Sequence, residues 1–287
     1  MRIVPEAFFQ NTRIQKLMRD GDCAVVYKQT DHADLDNHRL LSAHALTLVL
    51  NGGLMVHNDE GLPTSVGKGQ MVLLPKGLYA ITDLLPEQGP FEAIVYFFDD
   101  ALIDAFLQAH GRADVKVYCE PKPSLFKVNE SFSMFTSQLQ TLYSQVKADG
   151  PMVRLKLLEA LHLIVQKDPE GHFLERIEEL KAQPRKSLAT FMSAHFDKPL
   201  DVDDFARLSG RSISTFRRDF HKHFGVAPKQ WIIQKRLEKA KTLLDAGTET
   251  VQKVAFQVGY TDLPHFIKSF QKQFDISPKQ YALSQRN

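Results

Sequence analysis

Two segments of the chain carry basic side chains on helical repeats that also contain a stripe of phenylalanines. Phe216, Phe220 and Phe224 recur at every fourth position, so a helix over them places the three rings on one face. We predict that this face is buried and that the opposite face is free to contact DNA. The side chains predicted on that free face are Ser214, Arg217, Arg218 and His221. Arginine can donate two hydrogen bonds to guanine O6 and N7, a contact worth about 1–3 kcal/mol of base discrimination.

Other basic residues lie near predicted helix ends, where ammonium and backbone N–H groups can contact phosphate. They are Lys222, Lys229, Arg236, Lys272 and Lys279. For each of these residues, a solvated side chain without a DNA contact stays open as an alternative. For Arg217 and Arg218, the open alternative is pairing with Asp219 or with a neighbouring helix.

The phenylalanine pattern occurs twice, because residues 216–231 are matched 50 positions later by residues 266–281. The shared features are three Phe, one Pro, a Lys-Gln pair and a final aromatic residue. In the second copy, the positions predicted to contact bases are Leu263, Pro264, Ile267 and Lys268. Lys268 can bind a base or a phosphate, whereas Leu263 and Ile267 offer only apolar contact, for instance with thymine methyl groups, or pack against protein. Sequence specificity is therefore predicted to depend mainly on the first copy.

The elements that position these residues form a pair of short helices in each copy. In the first copy Asp201 is predicted to cap one helix and Ser212 or Ser214 the next, with Gly210 between them. In the second copy the caps are Thr248 or Thr250 and Asp262, with Gly259 at the turn, and Pro264 is tolerated in the first turn of its helix. Two short helices joined at a glycine turn are typical of a helix-turn-helix, whose second helix enters the major groove.

A long amphipathic helix is predicted between the two copies, over residues 228–247. A helix of roughly 18 residues is about 27 Å long. Successive major grooves on one face of B-DNA lie about 34 Å apart. The predicted spacer can therefore hold two recognition helices against one duplex. Trp231 and Tyr281, each three residues after a proline, are predicted core anchors.

Charge divides the chain into a basic part and an acidic part. Residues 184–287 hold 18 Lys+Arg against 10 Asp+Glu, a balance of +8, whereas residues 1–183 hold 18 against 24, a balance of −6. Only the C-terminal part has the positive potential that favours phosphate. No secretory leader or membrane span is predicted. The two cysteines, Cys23 and Cys119, are not spaced for a disulfide framework or a zinc site, so a reducing cytoplasm is expected.

The N-terminal part begins with short apolar runs separated by turn residues, which predicts an antiparallel β-sandwich or small barrel. The predicted strands are at 23–27, 45–50, 54–56, 71–75 and 91–98. Apolar residues then recur every three or four positions, which predicts helices at 102–110, 131–146, 152–166 and 173–182. The chain is thus expected to be α+β, with a β regulatory domain at 1–110, a helical dimerisation or linker region at 111–183 and an all-α DNA-binding domain with two helix-turn-helix units at 184–287.

The chain resembles the AraC/XylS family of bacterial transcription regulators over residues 185–283. The resemblance is carried by the paired motifs, by Arg236-Leu237, Ala240 and Leu243-Leu244, and by Val254-Ala255 through Val258-Gly259-Tyr260. It implies that the N-terminal part is a cupin-like regulatory domain, more loosely similar to type III secretion activators. It also implies an activator that binds double-stranded DNA as a homodimer, contacts RNA polymerase, and receives its signal from a small effector or a regulatory protein. The chain departs from the family pattern at Asp275, Ala282, Pro264 and Ile267.

The residue spacing disfavours two other functions. A cupin-type metalloenzyme with a DNA-binding tail would need a His-x-His ligand motif, and the four N-terminal histidines lack that spacing, so no metal and no cofactor are expected. These histidines are His32, His38, His44 and His57. A DNA-repair regulator that accepts alkyl groups on cysteine is disfavoured by the isolated cysteines. No P-loop or Ser/His/Asp signature is present, so the chain is not expected to be an enzyme. A surplus of apolar residues at 131–146 and 152–166 is explained equally by packing on the β domain or by a dimer interface.

Overall fold

The computed structural model describes residues 2–33, 37–58, 63–110, 122–146, 148–168, 170–181, 188–247 and 249–284. The chain forms two compact units, residues 1–183 and 184–287. Two residues that the sequence singled out, Cys119 and Thr248, lie outside the described residues, as does the side chain of His38. Among the described helices, none is both long enough and apolar enough to cross a membrane.

The first unit is built on two β-sheets, as the fold class predicted. Its strands are β1 (Arg2–Val4), β2 (Ile14–Asp20), β3 (Cys23–Thr30), β4 (Asn37–Leu41), β5 (His44–Asn51), β6 (Gly53–His57), β7 (Thr64–Gly67), β8 (Gln70–Leu74), β9 (Gly77–Leu84), β10 (Phe91–Phe98), β11 (Ser124–Lys127) and β12 (Ala148–Asp149). One sheet has the order β1-β4-β9-β6-β7 and the other β11-β8-β5-β10-β3-β2-β12. Pairing is antiparallel except at β1–β4 and β12–β2. The five strands predicted from the apolar runs are confirmed.

Within its described residues, the first unit has five helices: α1 (Glu6–Gln10), α2 (Asp100–His110), α3 (Glu130–Tyr143), α4 (Pro151–Val165) and α5 (His172–Lys181). Alternate residues of the larger sheet face in opposite directions, so the sheet contributes to two cores. On β10, Val95 and Phe97 face the core between the sheets. Ile94 and Tyr96 face a second core shared with α2, α3, α4 and α5. The division of this unit at residue 110 remains a prediction, although its β and helical parts share this second core.

A buried histidine links β5, α2 and the turn before β9. The His44 imidazole is 3% exposed, and its Nε2 lies 3.1 Å from the Asp100 carboxylate. The Lys76 backbone N–H donates to His44 Nδ1 at 3.2 Å, which places the ring proton on Nε2. Burial lowers the pKa of His44, and the hydrogen bond with His44 lowers the pKa of Asp100. The ring is therefore neutral, and both of its nitrogens are held by hydrogen bonds within the fold.

We predict that the first unit loses stability as the pH falls from 7 to 5. Because the pKa of His44 is lower in the folded state, the unfolded chain binds more protons below about pH 6.5, so the free energy of unfolding falls by up to about 1.4 kcal/mol per pH unit. The Asp100 contribution has the same sign at more acidic pH. Urea unfolding across this range should show a flatter pH dependence for His44→Gln. The exposed His32→Gln serves as the control, and an unchanged slope in His44→Gln would contradict this assignment.

The second unit is all-helical within the described residues. Its helices are α6 (Leu188–His195), α7 (Val202–Leu208), α8 (Ile213–Phe224), α9 (Pro228–Asp245), α10 (Val251–Gln257), α11 (Leu263–Phe274) and α12 (Pro278–Ser284). The pairs α7–α8 and α10–α11 are the two predicted helix-turn-helix units, and α9 is the predicted connecting helix. The sequence did not predict α6, which the structure places directly before the first helix-turn-helix.

Candidate nucleic-acid interface

Local side-chain bonds fix where the helices of the first helix-turn-helix begin. The Asp201 carboxylate accepts from the Asp204 N–H at 2.8 Å, and the Asp204 carboxylate accepts from the Asp201 N–H at 3.1 Å. This reciprocal capping box satisfies N–H groups that the first turn of α7 leaves without helical partners. Ser212, one of two predicted candidates, caps α8 by accepting from the Thr215 N–H at 3.3 Å. Both helix starts are thus fixed by their own sequence.

The phenylalanine stripe of α8 is the buried face, as predicted. Phe216 and Phe220 are fully buried, and their ring centroids lie 5.5 Å apart. Trp231 on α9 packs with its ring centroid 5.7 Å from that of Phe220 and 4.8 Å from that of Phe224. The predicted role of Trp231 as a core anchor is confirmed. This aromatic cluster holds α8 in a fixed rotation, with its other face outward.

The predicted base-contacting residues of α8 lie on that outward face. The exposed residues there are Ser214, Arg217, Arg218, His221 and Lys222. The Arg218 side chain is 75% exposed, and its Nε lies 3.5 Å from Asp219, whose other oxygen is 3.5 Å from Arg211. For Arg217, the described part of the chain provides no hydrogen bond or ion pair. An exposed ion pair of this length contributes little, so both guanidinium groups remain able to bind a base.

A shallow surface pocket adjoins this face where α8 meets the start of α9. Arg217, His221 and Lys229 line it together with Val202, Ala227 and Pro228. Pro228 is the first residue of α9, so the free N–H groups of that helix end are close to two basic side chains. The arrangement suits a phosphate beside the recognition helix and supports the prediction that Lys229 contacts the DNA backbone.

The second helix-turn-helix repeats this construction with weaker polar chemistry. Thr250 caps α10 and Asp262 caps α11, whose second residue is Pro264. Phe266 and Phe270 are fully buried in one core with residues of α9 and α10. The Tyr281 ring packs 5.8 Å from that of Phe270, and its hydroxyl donates to Asp245 at 2.5 Å, which raises the pKa of Tyr281 to about 12. Tyr281 is therefore an anchor, as predicted.

The predicted contacts of α11 differ in exposure. On α11, Pro264, Lys268 and Lys272 are exposed, Ile267 is 36% exposed, and Leu263 is half-buried against the core of its own helix-turn-helix. Lys279, on α12, is also exposed. Leu263 thus contributes to packing. Three exposed residues of this helix were not singled out from the sequence, His265, Gln271 and Gln273. The 50-residue repeat could have identified Gln271, because it is the counterpart of His221.

One predicted phosphate contact is wrong. The Arg236 side chain points into the protein, where Nε donates to the Phe196 carbonyl at 2.8 Å and Nη2 to the carbonyls of Lys198 and Leu200 at 2.5 and 3.1 Å. Burial lowers the pKa of this guanidinium. Three hydrogen bonds tie this side chain to the backbone between α6 and α7, so Arg236 holds the fold instead of binding DNA.

The ends of the two recognition helices allow a matched test of backbone strain. Gly225 ends α8 at φ 73°, and Asp275 ends α11 at φ 56°, in the left-handed region that glycine adopts most easily. We predict that Asp275→Gly raises the free energy of unfolding of the second unit by about 0.5–1 kcal/mol and that Gly225→Asp lowers it by about 1 kcal/mol. A Cβ at Gly225 would meet no atom within 4 Å, so packing does not complicate the comparison. Urea unfolding measures both changes in the free energy of unfolding. Two changes of equal size and the same sign would contradict the prediction.

Two family models match the chain. A helix-turn-helix domain family matches residues 205–284. The ExsA N-terminal regulatory domain family matches residues 44–176. The two matches fall on the two structural units separately, and together they include strands β5–β12, helices α2–α4 and most of the paired helical units.

Curated relatives match most of the chain at low identity. The virulence regulon transcriptional activator VirF of Yersinia enterocolitica is 23% identical over 80% of this chain and 85% of its own length. The transcriptional regulator ExsA of Pseudomonas aeruginosa is 22% identical over 81% of this chain and 84% of its own length. Among solved structures, the unsaturated fatty acid bound ToxT of Vibrio cholerae is 13% identical, covers 95% of this chain and 96% of that chain, and has a TM-score of 0.37.

Proposed function

Because the chain belongs to the AraC/XylS family of DNA-binding transcription regulators, we propose that it reads a specific duplex through α8 and α11 and activates transcription from it. The observation that carries this proposal is the outward face of α8, where Arg217 and Arg218 are exposed while the phenylalanines behind them are fully buried. That face has the donors that recognise guanine in a major groove. Acting on chromosomal DNA, the protein would work in the cytoplasm.

The proposal divides the contacts between the two helical units. Arg217, Arg218 and Ser214 of α8 supply base-specific hydrogen bonds, whereas α11 offers Lys268 and the apolar Ile267. The lysines at 222, 229, 272 and 279 contact phosphate, and this contribution weakens with added salt. RNA polymerase is the further partner that an activator requires. The names of the relatives support activation, because VirF is a transcriptional activator.

The proposal is tested by selecting bound duplexes from a random library with the full-length protein. We expect enrichment of one sequence motif with two half-sites about 10 base pairs apart, since that distance is one turn of B-DNA. In a purified transcription reaction, a promoter carrying the motif should give more transcript when the protein is added. Failure to enrich any motif would overturn the proposed function.

We propose that the first unit controls this activity, and the shape of its β-core favours a protein signal over a small molecule. Between the sheets lies a cavity of about 30 Å³, which is room for roughly one water molecule. Its wall includes Lys28, Arg39 and Asp83, all buried, with Asp83 bonded to Lys28 and 3.5 Å from Arg39. A ligand of many atoms would need these sheets to separate. A partner protein binding the helical surface needs no such opening.

We propose that two copies associate through the surface of α3, α4 and the segment between them. Five large apolar side chains are exposed there, Met134, Leu142, Val146, Met152 and Leu155. A two-fold interface places the same patch on both copies, so the patch would cover itself. Leu155 is 59% exposed and is not needed for the core. Leu161, which is 2% exposed, belongs to the core. Leu155→Glu should therefore give a folded monomer in sedimentation equilibrium, and a dimer in that variant would contradict the assignment.

The relatives are transcription regulators, and we propose no enzymatic reaction for this chain. Within the described residues, no group of three or more His, Cys, Asp or Glu side chains is placed to hold a metal ion. Elemental analysis of the purified protein tests the metalloenzyme alternative. Stoichiometric bound zinc or iron would support that alternative.

A further inference from the structure

The two helix-turn-helix units meet at the segment between α6 and α7, residues 196–200. Arg236 lies in the middle of α9 and donates to three carbonyls of this segment, those of Phe196, Lys198 and Leu200. One turn further along α9, the Lys239 ammonium bonds to the Asp197 carboxylate. Two successive turns of α9 are thus bonded to the segment that precedes the first helix-turn-helix.

The turn of the second helix-turn-helix packs on the same segment. Gly259, between α10 and α11, has φ 86°, and a Cβ at this position would lie 2.6 Å from the Asp197 carbonyl oxygen and 2.9 Å from that of Lys198. No side chain larger than hydrogen fits there without moving backbone atoms. Residues 197 and 198 are therefore in contact with both α9 and the second helix-turn-helix.

The apolar contacts of α9 divide between the two helix-turn-helix units. Trp231, near the start of α9, packs into the aromatic cluster of α8. Leu237, Ala240 and Leu244, further along α9, pack into the core of the second helix-turn-helix. Each helix-turn-helix is thus anchored to a different stretch of α9. The bonds from Arg236 and Lys239, with the close packing of Gly259, join the two stretches through residues 196–200.

We propose that Arg236 and Gly259 fix the separation of the two recognition helices, so that the chain accepts one spacing between its two DNA half-sites. The inference rests on the proposed function and adds a source of specificity that involves no base contact. Arg236 is a positioning residue: its planar guanidinium donates to three carbonyls at once, whereas the amide of glutamine has only two N–H donors. Its loss would let α11 move relative to α8 without removing any group that touches DNA.

The test uses the duplex enriched by the wild-type protein and a series of duplexes in which single base pairs are added or removed between its half-sites. Each added base pair rotates one half-site by about a tenth of a helical turn. For the wild-type protein we expect affinity to fall about tenfold per base pair, the size of one lost base contact. For Arg236→Gln we expect weaker binding at the native spacing and a fall of about threefold or less per base pair, with unchanged affinity for a duplex that carries only the α8 half-site.

Two further variants make the result decisive. Lys239→Ala removes a partly exposed ion pair and should fold, with a smaller loss of spacing dependence than Arg236→Gln. Lys235→Gln, whose ammonium pairs only with Glu238 on the same helix among the described residues, should behave as wild type. The inference is overturned if Arg236→Gln keeps the wild-type spacing dependence, or, should that variant not fold, if Lys239→Ala keeps it. If the wild-type protein enriches no duplex, the proposed function itself has failed.

Discussion

Replacing Arg217 and Arg218 by alanine should abolish selective DNA binding while leaving the fold intact. Each guanidinium that binds guanine through two hydrogen bonds contributes about 1–3 kcal/mol of discrimination, so the double variant should lose between about 30-fold and about 25,000-fold in preference for the target over a random duplex. Neither side chain supports the core, since both are exposed on the face of α8 opposite Phe216 and Phe220. The unfolding curve should therefore match that of the wild-type protein.

The measurement is a competition titration of full-length protein between the enriched duplex and a scrambled one. Arg207→Ala is the matched control, because Arg207 is exposed on α7, outside the recognition helix. Both single variants should lose part of the preference, and the control should keep it. A double variant that discriminates as well as the wild-type protein would show that α8 does not read bases.

Replacing Phe220 by alanine should unfold the second unit and abolish all DNA binding. Its ring is fully buried, with centroids 5.5 Å from Phe216, 4.4 Å from Phe224 and 5.7 Å from Trp231. Removing such a ring costs about 3–5 kcal/mol, a large part of the roughly 5–15 kcal/mol that stabilises a typical domain. Denaturant unfolding followed by tryptophan fluorescence reports on this cluster, because Trp231 is the only tryptophan of the chain.

Phe256 offers a control of the same residue type in the same unit. Its ring is 50% exposed on α10, so Phe256→Ala leaves no cavity in the core and should change stability little. Loss of both target and random-duplex binding in Phe220→Ala, with both retained in Phe256→Ala, would separate folding from base recognition. A stable, DNA-binding Phe220→Ala protein would contradict the architecture.

The sequence predicted the paired helical units because their signals are local. A phenylalanine at every fourth position, a capping residue before each helix and a glycine at the turn lie within about a dozen residues of one another, and each acts through the geometry of a single helix. The predicted buried stripe and exposed basic face of α8 were therefore found in the structure. The choice between Ser212 and Ser214 as cap stayed open because both can accept a backbone hydrogen bond.

Arg236 was misassigned because its partners leave no signature in the sequence. Three backbone carbonyls about 40 residues away bind it, and any residue type supplies a carbonyl. For a similar reason β2 was not predicted: its exposed and buried residues alternate irregularly around a bulge near Lys16, which breaks the two-residue period. Such features depend on tertiary contacts, and no local pattern reports them.

Hydroxyl-radical footprinting of the full-length protein on its enriched duplex tests the central claim most directly, because it reports which backbone positions each bound chain covers. Two recognition helices joined by α9 predict two protected segments on one face of the duplex, about one helical turn apart. The Arg217 and Arg218 double variant should lose both segments at concentrations that saturate the wild-type protein. A single protected segment per chain, or protection that is equal on target and random duplexes, would contradict the account.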